Sequence, residues 1–345
     1  MRRLPVPGAT LVLVGGTLLA ACSAAGSPAV GSPAGSAGSE SPGSESPGAG
    51  APCPTAPAPG DLTDWTGSAA DASVIPVLVS SEQACGPSRL LFTFLDPKTN
   101  APVGSPERTA SLAFYNLGRD RERAAASSEA TFVWAIEGER GLYVAHVTYP
   151  EAGEWGVAVT TAAPGSPEET IRVRYQVKER SSTIPIGAPA PATDTPTLED
   201  VGGNVRRLST DPTPVRRFYE TSVAQALRQK KAFVLVFATP AFCTSAICGP
   251  TLDRVERIAE DYPTLTFINV EPYQLEYRDG RLQPKLDAQG QLQPVPAVLE
   301  WGLQTEPWIF VVDRDGIVRG SFEGVFGDAE LRAVLDQVQA GRGDY

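Results

Sequence analysis

The sequence predicts a multidomain chain in which an all-β domain is followed by an α/β domain, with an unstructured segment in front of both. A chain of 345 residues is too long for one compact core. Short runs of alternating apolar and polar residues fill positions 73–178, whereas alternating helix and strand patterns begin at Phe218. Glycine (33) and proline (32) are both abundant, which favours unstructured segments beside the folded parts.

The N-terminus has the pattern of an export signal. Arg2 and Arg3 precede an apolar run, Ala9–Ala21, that is too short to span a bilayer. The run ends in Leu-Ala-Ala followed by Cys22, which resembles the lipobox of bacterial lipoproteins. That resemblance implies a signal peptide over residues 1–21, a lipid such as palmitate on Cys22, and attachment to the extracytoplasmic face of the cell membrane. The competing interpretation is an ordinary signal peptide with an incidental cysteine.

The next segment, residues 22–60, is predicted to be a lipid-anchored disordered linker. It consists largely of Ser, Gly, Ala and Pro, which cannot form a core. A flexible chain of this kind has a reach of roughly 30 Å. The formal net charge of the whole protein is -11. An acidic surface argues against nucleic acid as a partner and against adsorption to anionic lipid.

Residues 61–180 are predicted to form a β-sandwich. The stretch Thr170–Val177 alternates apolar and polar residues without a break, as expected of a strand with one buried face. Turn residues separate it from six similar runs, at Ile75–Val79, Leu90–Leu95, Ser111–Tyr115, Thr131–Ile136, Leu142–Thr148 and Trp155–Thr160. Seven short strands in this length look like an immunoglobulin-like domain, although only by pattern.

A proline-rich linker is predicted over residues 181–212, and a second domain over 213–345. Proline favours extended backbone, so the linker is expected to be semi-rigid. Buried strands and amphipathic helices are then predicted at Thr221–Lys231 (helix, with Thr221 as N-cap), Ala232–Phe237 (strand), Pro250–Tyr262 (helix), Leu265–Val270 (strand), Trp308–Val312 (strand), Ile317–Phe322 (strand) and Asp328–Gln339 (helix).

Two stretches of this second domain resemble thioredoxin. Val234–Phe237 followed by Phe242-Cys243 is similar to the strand that leads into the thioredoxin active site, and Trp301–Phe310 is similar to the segment around its cis-proline. The resemblance implies a thioredoxin fold, a cis Glu306–Pro307 bond facing Cys243, and binding of an extended peptide substrate at Glu306 and Pro307.

The sequence also departs from that pattern. Four residues separate Cys243 from Cys248, and five helical positions rise about 7.5 Å, too far for a disulfide. Cys243 must therefore lie in the loop before the helix, or the pair is not bridged. We reject the alternative register, in which Cys248-Gly249-Pro250 is the site, because it lies too far from Phe237. Val236 and Asn269 replace the carboxylate and the lysine that assist proton transfer in the family, and Glu271–Ala297 is an insertion expected near the active-site face.

The five cysteines divide into Cys22 and two pairs. In an exported protein, even numbers of cysteines favour disulfides. We expect Cys53–Cys85 to be a structural disulfide, and we expect no cross-pairing with Cys243 or Cys248.

Three functional interpretations remain open at this stage. The first is thiol–disulfide exchange with thiol- or disulfide-containing proteins or peptides, in which Cys243 attacks and Cys248 resolves the mixed disulfide. The second is a redox-silent thioredoxin-fold binding or scaffold module with a static disulfide. The third is copper handling, as in Sco-type proteins, which the missing histidine in 218–345 weakens. No metal site and no cofactor are predicted.

Overall fold

The computed structural model describes residues 53–65 and 72–341, and strands dominate it. The described residues lie within one unit, Pro47–Tyr345. The predicted signal peptide, Cys22 and most of the predicted disordered linker lie outside the described residues. Within the described ranges, no helix is long and apolar enough to cross a membrane.

The N-terminal region is built from nine strands. They are β1 (Ile75–Leu78), β2 (Gln83–Ala84), β3 (Gly86–Leu95), β4 (Thr109–Asn116), β5 (Ala126–Glu129), β6 (Thr131–Ile136), β7 (Arg140–Tyr149), β8 (Gly153–Ala163) and β9 (Ser166–Lys178). All seven predicted runs are strands, and β2 and β5 are additional.

These strands form two sheets, ordered β1-β3-β7-β6 and β2-β9-β8-β4-β5, which we call the sandwich. A core of mostly aliphatic and aromatic side chains joins them, because alternate residues of each strand point inward. Phe92 stacks on Tyr143 with ring centroids 5.3 Å apart, and Trp155 is fully buried.

The C-terminal region contains the remaining elements. Its strands are β10 (Phe233–Phe237), β11 (Thr266–Val270), β12 (Leu275–Arg278), β13 (Arg281–Pro284), β14 (Trp308–Val312) and β15 (Val318–Glu323). Its helices are α1 (Val223–Arg228), α2 (Cys248–Ala259), α3 (Pro296–Glu300) and α4 (Asp328–Gln339).

One four-stranded sheet, ordered β11-β10-β14-β15, organises this region. β10 runs parallel to β11 and antiparallel to β14, and all five residues of β10 are buried. Apolar clusters cover both faces of the sheet, one with α2 and α4 and the other with α1 and α3. The β12–β13 hairpin forms a separate two-stranded sheet.

The predicted fold class is wrong. The described residues are mostly β: 37% lie in strands, which form several sheets, and 16% lie in helices, of which four are α-helices. No α/β thioredoxin fold is evident in them. The all-β N-terminal region is the part of the prediction that agrees with the structure. Two local features lower the helix content and raise the strand content. Helix α1 covers only six residues, and the expected insertion adds the β12–β13 hairpin.

The short α1 has a local cause. Ser222, and not Thr221, is the N-cap, and it forms a capping box with Gln225. The helix ends before Lys230, whose backbone is left-handed at φ 52°. The predicted helix over Thr221–Lys231 is therefore shortened at both ends.

The segment predicted as a linker, residues 181–212, packs on the C-terminal sheet. Ile184 N–H donates to Trp301 O (3.3 Å), and Gly187 N–H donates to Val318 O (2.8 Å). Further along, Leu198 N–H donates to Tyr219 O (2.7 Å). The predicted domain boundaries stay predictions. The segment 181–212 is, however, hydrogen-bonded to the C-terminal region at several points.

Candidate functional site

The Cys243–Cys248 pair lies where β10 leads into α2. Ten residues, 238–247, connect the two elements, and we call this stretch the cysteine loop. Cys243 lies in this loop and Cys248 is the first residue of α2, as the helix-rise argument required. The two residues form a disulfide with a Cα–Cα distance of 6.0 Å.

The four residues between Cys243 and Cys248 include a turn. Ala246 N–H donates to Cys243 O at 3.3 Å, and Ala246 has a left-handed backbone at φ 61°. Ile247 then leads directly into the first turn of α2, where Pro250 is tolerated because the first turn has no intrahelical use for its missing N–H. The loop therefore keeps the sulfur of Cys243 beside the helix start despite its length.

The two sulfurs differ in environment. The side chain of Cys248 is fully buried, whereas Cys243 is partly exposed. The Cys248 N–H donates to Cys243 Sγ at 3.3 Å, and Ser245 Oγ lies 3.2 Å from the same sulfur. Free N–H groups at a helix start stabilise negative charge. The arrangement therefore favours a thiolate on Cys243, the sulfur that a substrate can reach.

Glu306 and Pro307 lie against this disulfide. The Glu306–Pro307 bond is cis, as predicted. A carboxylate oxygen of Glu306 and the sulfurs of Cys243 and Cys248 all lie within 4.8 Å of one another. Pro307 O accepts from Gly324 N–H (2.8 Å), which fixes this segment to the end of β15. The predicted role of Glu306 and Pro307 in substrate binding stays a prediction.

Tyr273 completes the surroundings of Glu306. Its hydroxyl donates to Glu306 Oε2 at 2.7 Å, while Oε1 is buried and has no hydrogen-bond partner. Burial, and then the neighbouring Glu306 carboxylate, raise the pKa of Tyr273. Tyr273 belongs to the segment 271–297, which was expected near the site. Sequence reasoning did not single out Tyr273, because no local pattern links it to Glu306.

A buried carboxylate lies beneath the cysteine loop. Glu271 Oε1 accepts from the N–H (2.6 Å) and the hydroxyl (2.7 Å) of Thr210, and Thr210 Oγ1 accepts from Ala241 N–H (3.1 Å). Burial raises the pKa of Glu271 to about 7, and the charge of Asp211 adds to the shift. The thioredoxin resemblance indicates a carboxylate only at the position of Val236. Glu271 follows β11 instead, so it was not predicted.

Val236 and Asn269 have structural surroundings. Val236 is fully buried, and Asn269 Nδ2 donates to Tyr219 Oη at 3.0 Å. Tyr219 Oη in turn donates to Ser209 Oγ at 2.8 Å. Neither residue is a proton acceptor for a thiol.

The sandwich holds the other side of the cysteine loop. Arg140, at the start of β7, donates from Nη1 to Ser245 O at 2.8 Å. Ile247 is buried in an apolar cluster with sandwich residues that include Leu91 and Leu142. The side of the cysteine loop near Ile247 is therefore covered by the sandwich.

A cavity of about 460 Å³ lies next to the cysteine loop. Its walls include Phe242 of this loop, Arg206, residues 209–212, and the β12–β13 hairpin with Arg281. Phe242 directly precedes Cys243 in the chain.

The second pair, Cys53–Cys85, forms the other disulfide, with a Cα–Cα distance of 6.2 Å. Both pairings match the prediction, and no cross-pairing occurs among these four residues. Cys85 lies between β2 and β3, and Cys53 precedes the Thr55–Ala152 bridge, so this disulfide holds the start of the described chain on the sandwich.

One group of side chains in the described ranges could hold a metal ion: Cys243, Cys248 and Glu306. The two sulfurs are bonded to each other, so they would have to be reduced before they could act as thiolate ligands.

Comparison with known proteins assigns no family. No family model matches the chain, and no curated protein matches it. A DUF4426 family protein from Pseudomonas aeruginosa PAO1 is 10% identical, with a TM-score of 0.23, covering 34% of this chain and 100% of its own. MtrC from Shewanella baltica OS185 is 14% identical, with a TM-score of 0.22, covering 43% of this chain and 28% of its own. At such TM-scores neither similarity carries an argument about fold or function.

Proposed function

We propose that this protein carries out thiol–disulfide exchange through Cys243 and Cys248 on the extracytoplasmic side of a membrane. The observation that carries the proposal is the asymmetry of the pair: Cys243 is partly exposed and accepts the Cys248 N–H at a helix start, while Cys248 is buried behind it. Exchange needs one cysteine that attacks the substrate and a second cysteine that resolves the mixed disulfide.

Two further features support exchange. A cavity of about 460 Å³ is lined by Phe242, the residue before Cys243, and could hold part of a peptide substrate. Glu306 places a carboxylate within 4.8 Å of both sulfurs, where proton transfer can accompany sulfur transfer. The substrates would be thiol- or disulfide-containing proteins or peptides.

Trapping tests the proposal. When the reduced Cys248→Ser variant is mixed with a peptide disulfide, Cys243 should form a mixed disulfide with one peptide sulfur and release the other as a thiol, and the Cys243→Ser/Cys248→Ser double variant should form none. The wild-type pair should also equilibrate with glutathione or a dithiol buffer while the protein remains folded. If Cys243 forms no adduct and the pair resists dithiol until the protein unfolds, the exchange proposal is wrong.

A redox-silent binding or scaffold module is the second candidate. The contacts of Arg140 with Ser245 and of Ile247 with the sandwich favour it, because they fix the cysteine loop from one side. Structural disulfides of exported proteins typically lie below about -300 mV. A measured potential for Cys243–Cys248 below that value would support this candidate.

Copper handling is the weakest candidate. The group formed by Cys243, Cys248 and Glu306 is the observation in its favour. Thiolates suit Cu(I), whereas a carboxylate suits harder ions, so the donor set is mixed. Titration of the reduced protein with Cu(I) against a competing chelator would measure the affinity.

Membrane attachment through Cys22 is part of the proposal. The lipobox-like ending at Cys22 supports it. Replacing Cys22 with serine should move the protein from the membrane fraction to the soluble fraction. An unchanged distribution would remove the anchor from the proposal.

A further inference from the structure

Glu306 combines two features beside the Cys243–Cys248 pair. A carboxylate oxygen of this side chain lies within 4.8 Å of both sulfurs. Oε2 accepts the Tyr273 hydroxyl at 2.7 Å, whereas Oε1 is buried and has no hydrogen-bond partner among the described residues. Buried carboxylate oxygens are normally hydrogen-bonded, so Oε1 is open to a further donor.

The reduced pair supplies such a donor. A disulfide has no proton to donate, whereas a reduced cysteine carries an S–H, and a carboxylate oxygen of Glu306 lies within 4.8 Å of both sulfur positions. The Cys248 N–H and the helix start stabilise negative charge on Cys243, the attacking sulfur. Cys248 is therefore the thiol whose proton must be removed when it attacks Cys243.

We propose that Glu306 is the general acid–base of the Cys243/Cys248 pair and transfers the proton of Cys248 when the mixed disulfide is resolved. This inference rests on the proposed exchange function. It assigns proton transfer to a carboxylate on the segment before β14, where Tyr273 holds it from the segment 271–297.

The step balances as follows for a substrate disulfide. The Cys243 thiolate attacks one substrate sulfur, forms a mixed disulfide and releases the other sulfur as a thiolate. Glu306 then takes the proton of Cys248 as Cys248 Sγ bonds to Cys243 Sγ, and the mixed disulfide breaks. The second substrate sulfur leaves as a thiolate, and both substrate thiolates take their protons from water. The two cysteines lose two electrons and the substrate disulfide gains them. In the reverse direction, protonated Glu306 supplies the proton to Cys248.

Tyr273 acts as a positioning residue in this scheme. Its hydrogen bond occupies Oε2 and leaves Oε1 as the oxygen available to a thiol. Tyr273→Phe should therefore slow resolution less than loss of the carboxylate does, because the Glu306 side chain remains.

Single-turnover kinetics with oxidised glutathione tests the assignment. Reduced protein is mixed with oxidised glutathione, quenched with acid, and the mixed disulfide is followed by mass spectrometry. Glu306→Ala should slow resolution by roughly a hundredfold or more, the low end of what general acid–base groups contribute. Added formate should restore part of the rate in Glu306→Ala but not in Glu306→Gln, where the amide fills the space. Attack by Cys243, measured in Cys248→Ser with and without Glu306→Ala, should change only a few-fold.

Glu300→Gln is the matched control, because Glu300 is exposed and accepts a hydrogen bond from Thr193 at 2.6 Å. It should resolve at the wild-type rate. If the wild-type chain exchanges and Glu306→Ala resolves equally fast, the assignment of Glu306 falls and the exchange function stands. A slow Glu306→Ala that formate does not accelerate also overturns the assignment, since it indicates a purely structural role. If the wild-type chain forms no mixed disulfide at all, the exchange function falls, and the role of Glu306 falls with it.

Discussion

The two disulfides of this protein join almost equally spaced Cα atoms, 6.2 Å apart in Cys53–Cys85 and 6.0 Å in Cys243–Cys248, in very different surroundings. Cys53–Cys85 closes 32 residues of the sandwich region, whereas Cys243–Cys248 closes five residues at a helix start. Only the second pair lies in the metal-competent group with Glu306 among the described residues. Cα spacing therefore does not distinguish a structural disulfide from a candidate for exchange. The neighbouring N–H groups and carboxylates do.

The largest expected difference between the pairs is in stability. Because loop-closure entropy grows with loop length, Cys53→Ser should lower the free energy of unfolding by about 3.5 kcal/mol, and Cys243→Ser by about 2 kcal/mol. Urea denaturation of both variants under oxidising conditions measures this. Under reducing conditions the difference between the variants should disappear. A larger loss from Cys243→Ser would break the comparison.

The second difference concerns how the free energy of unfolding depends on pH. The buried carboxylate of Glu271 adds such a dependence to the region of Cys243. Burial raises the folded-state pKa of Glu271 from 4.5 to about 7, so the folded protein binds more protons than the unfolded chain between these values. The free energy of unfolding should therefore fall by up to about 3 kcal/mol as pH rises from 4.5 to 7. Glu271→Gln should reduce this slope in urea denaturation at several pH values.

In Glu271→Gln the free energy of unfolding should still fall as pH rises, although less steeply. Burial also raises the pKa of Glu256 to about 7, so this group lowers stability over the same pH range. A Glu271→Gln variant with the full wild-type slope would show that Glu271 is already ionised in the folded protein.

A third test concerns the contact between the sandwich and the cysteine loop. Ile247→Ala removes a side chain that is 7% exposed and should lower the free energy of unfolding by about 2–3 kcal/mol. It should also speed alkylation of Cys243 in the reduced protein, because the loop loses its apolar contact. Ile186→Ala is the control: this side chain is 46% exposed, and its loss should change stability by about 0.5 kcal/mol or less. Equal effects of the two substitutions would show that the sandwich does not hold the loop.

The smallest expected effect comes from the turn inside the cysteine loop. Ala246 has φ 61°, a conformation that glycine adopts without steric conflict. Ala246→Gly should raise the free energy of unfolding by about 0.5–1 kcal/mol. Ala241→Gly, in the same loop but without a positive φ, should give no gain. A loss of stability in Ala246→Gly would mean that the turn differs in solution.

Much of the local structure was predictable. The unbroken alternation in Thr170–Val177 required a strand, and it lies within β9. The helix rise required Cys243 to precede the helix that contains Cys248, and α2 begins at Cys248. The fold class was not predictable from the same patterns, because short segments such as α1 and the β12–β13 hairpin decide the balance of helix and strand.

The sequence by itself determined where the seven main strands of the sandwich lie and that Cys243 is at a helix start, because these depend on local periodicity and on short distances along the chain. It also indicated which cysteines pair, because the two pairs lie in separate parts of the chain. Only the tertiary structure decided which groups surround the sulfurs. Glu306, Tyr273 and Arg140 come from three different segments, and their hydrogen bonds have heavy-atom distances of 2.7–2.8 Å. Contacts of that precision depend on how the sandwich and the C-terminal sheet pack, and no local pattern in the chain encodes that packing.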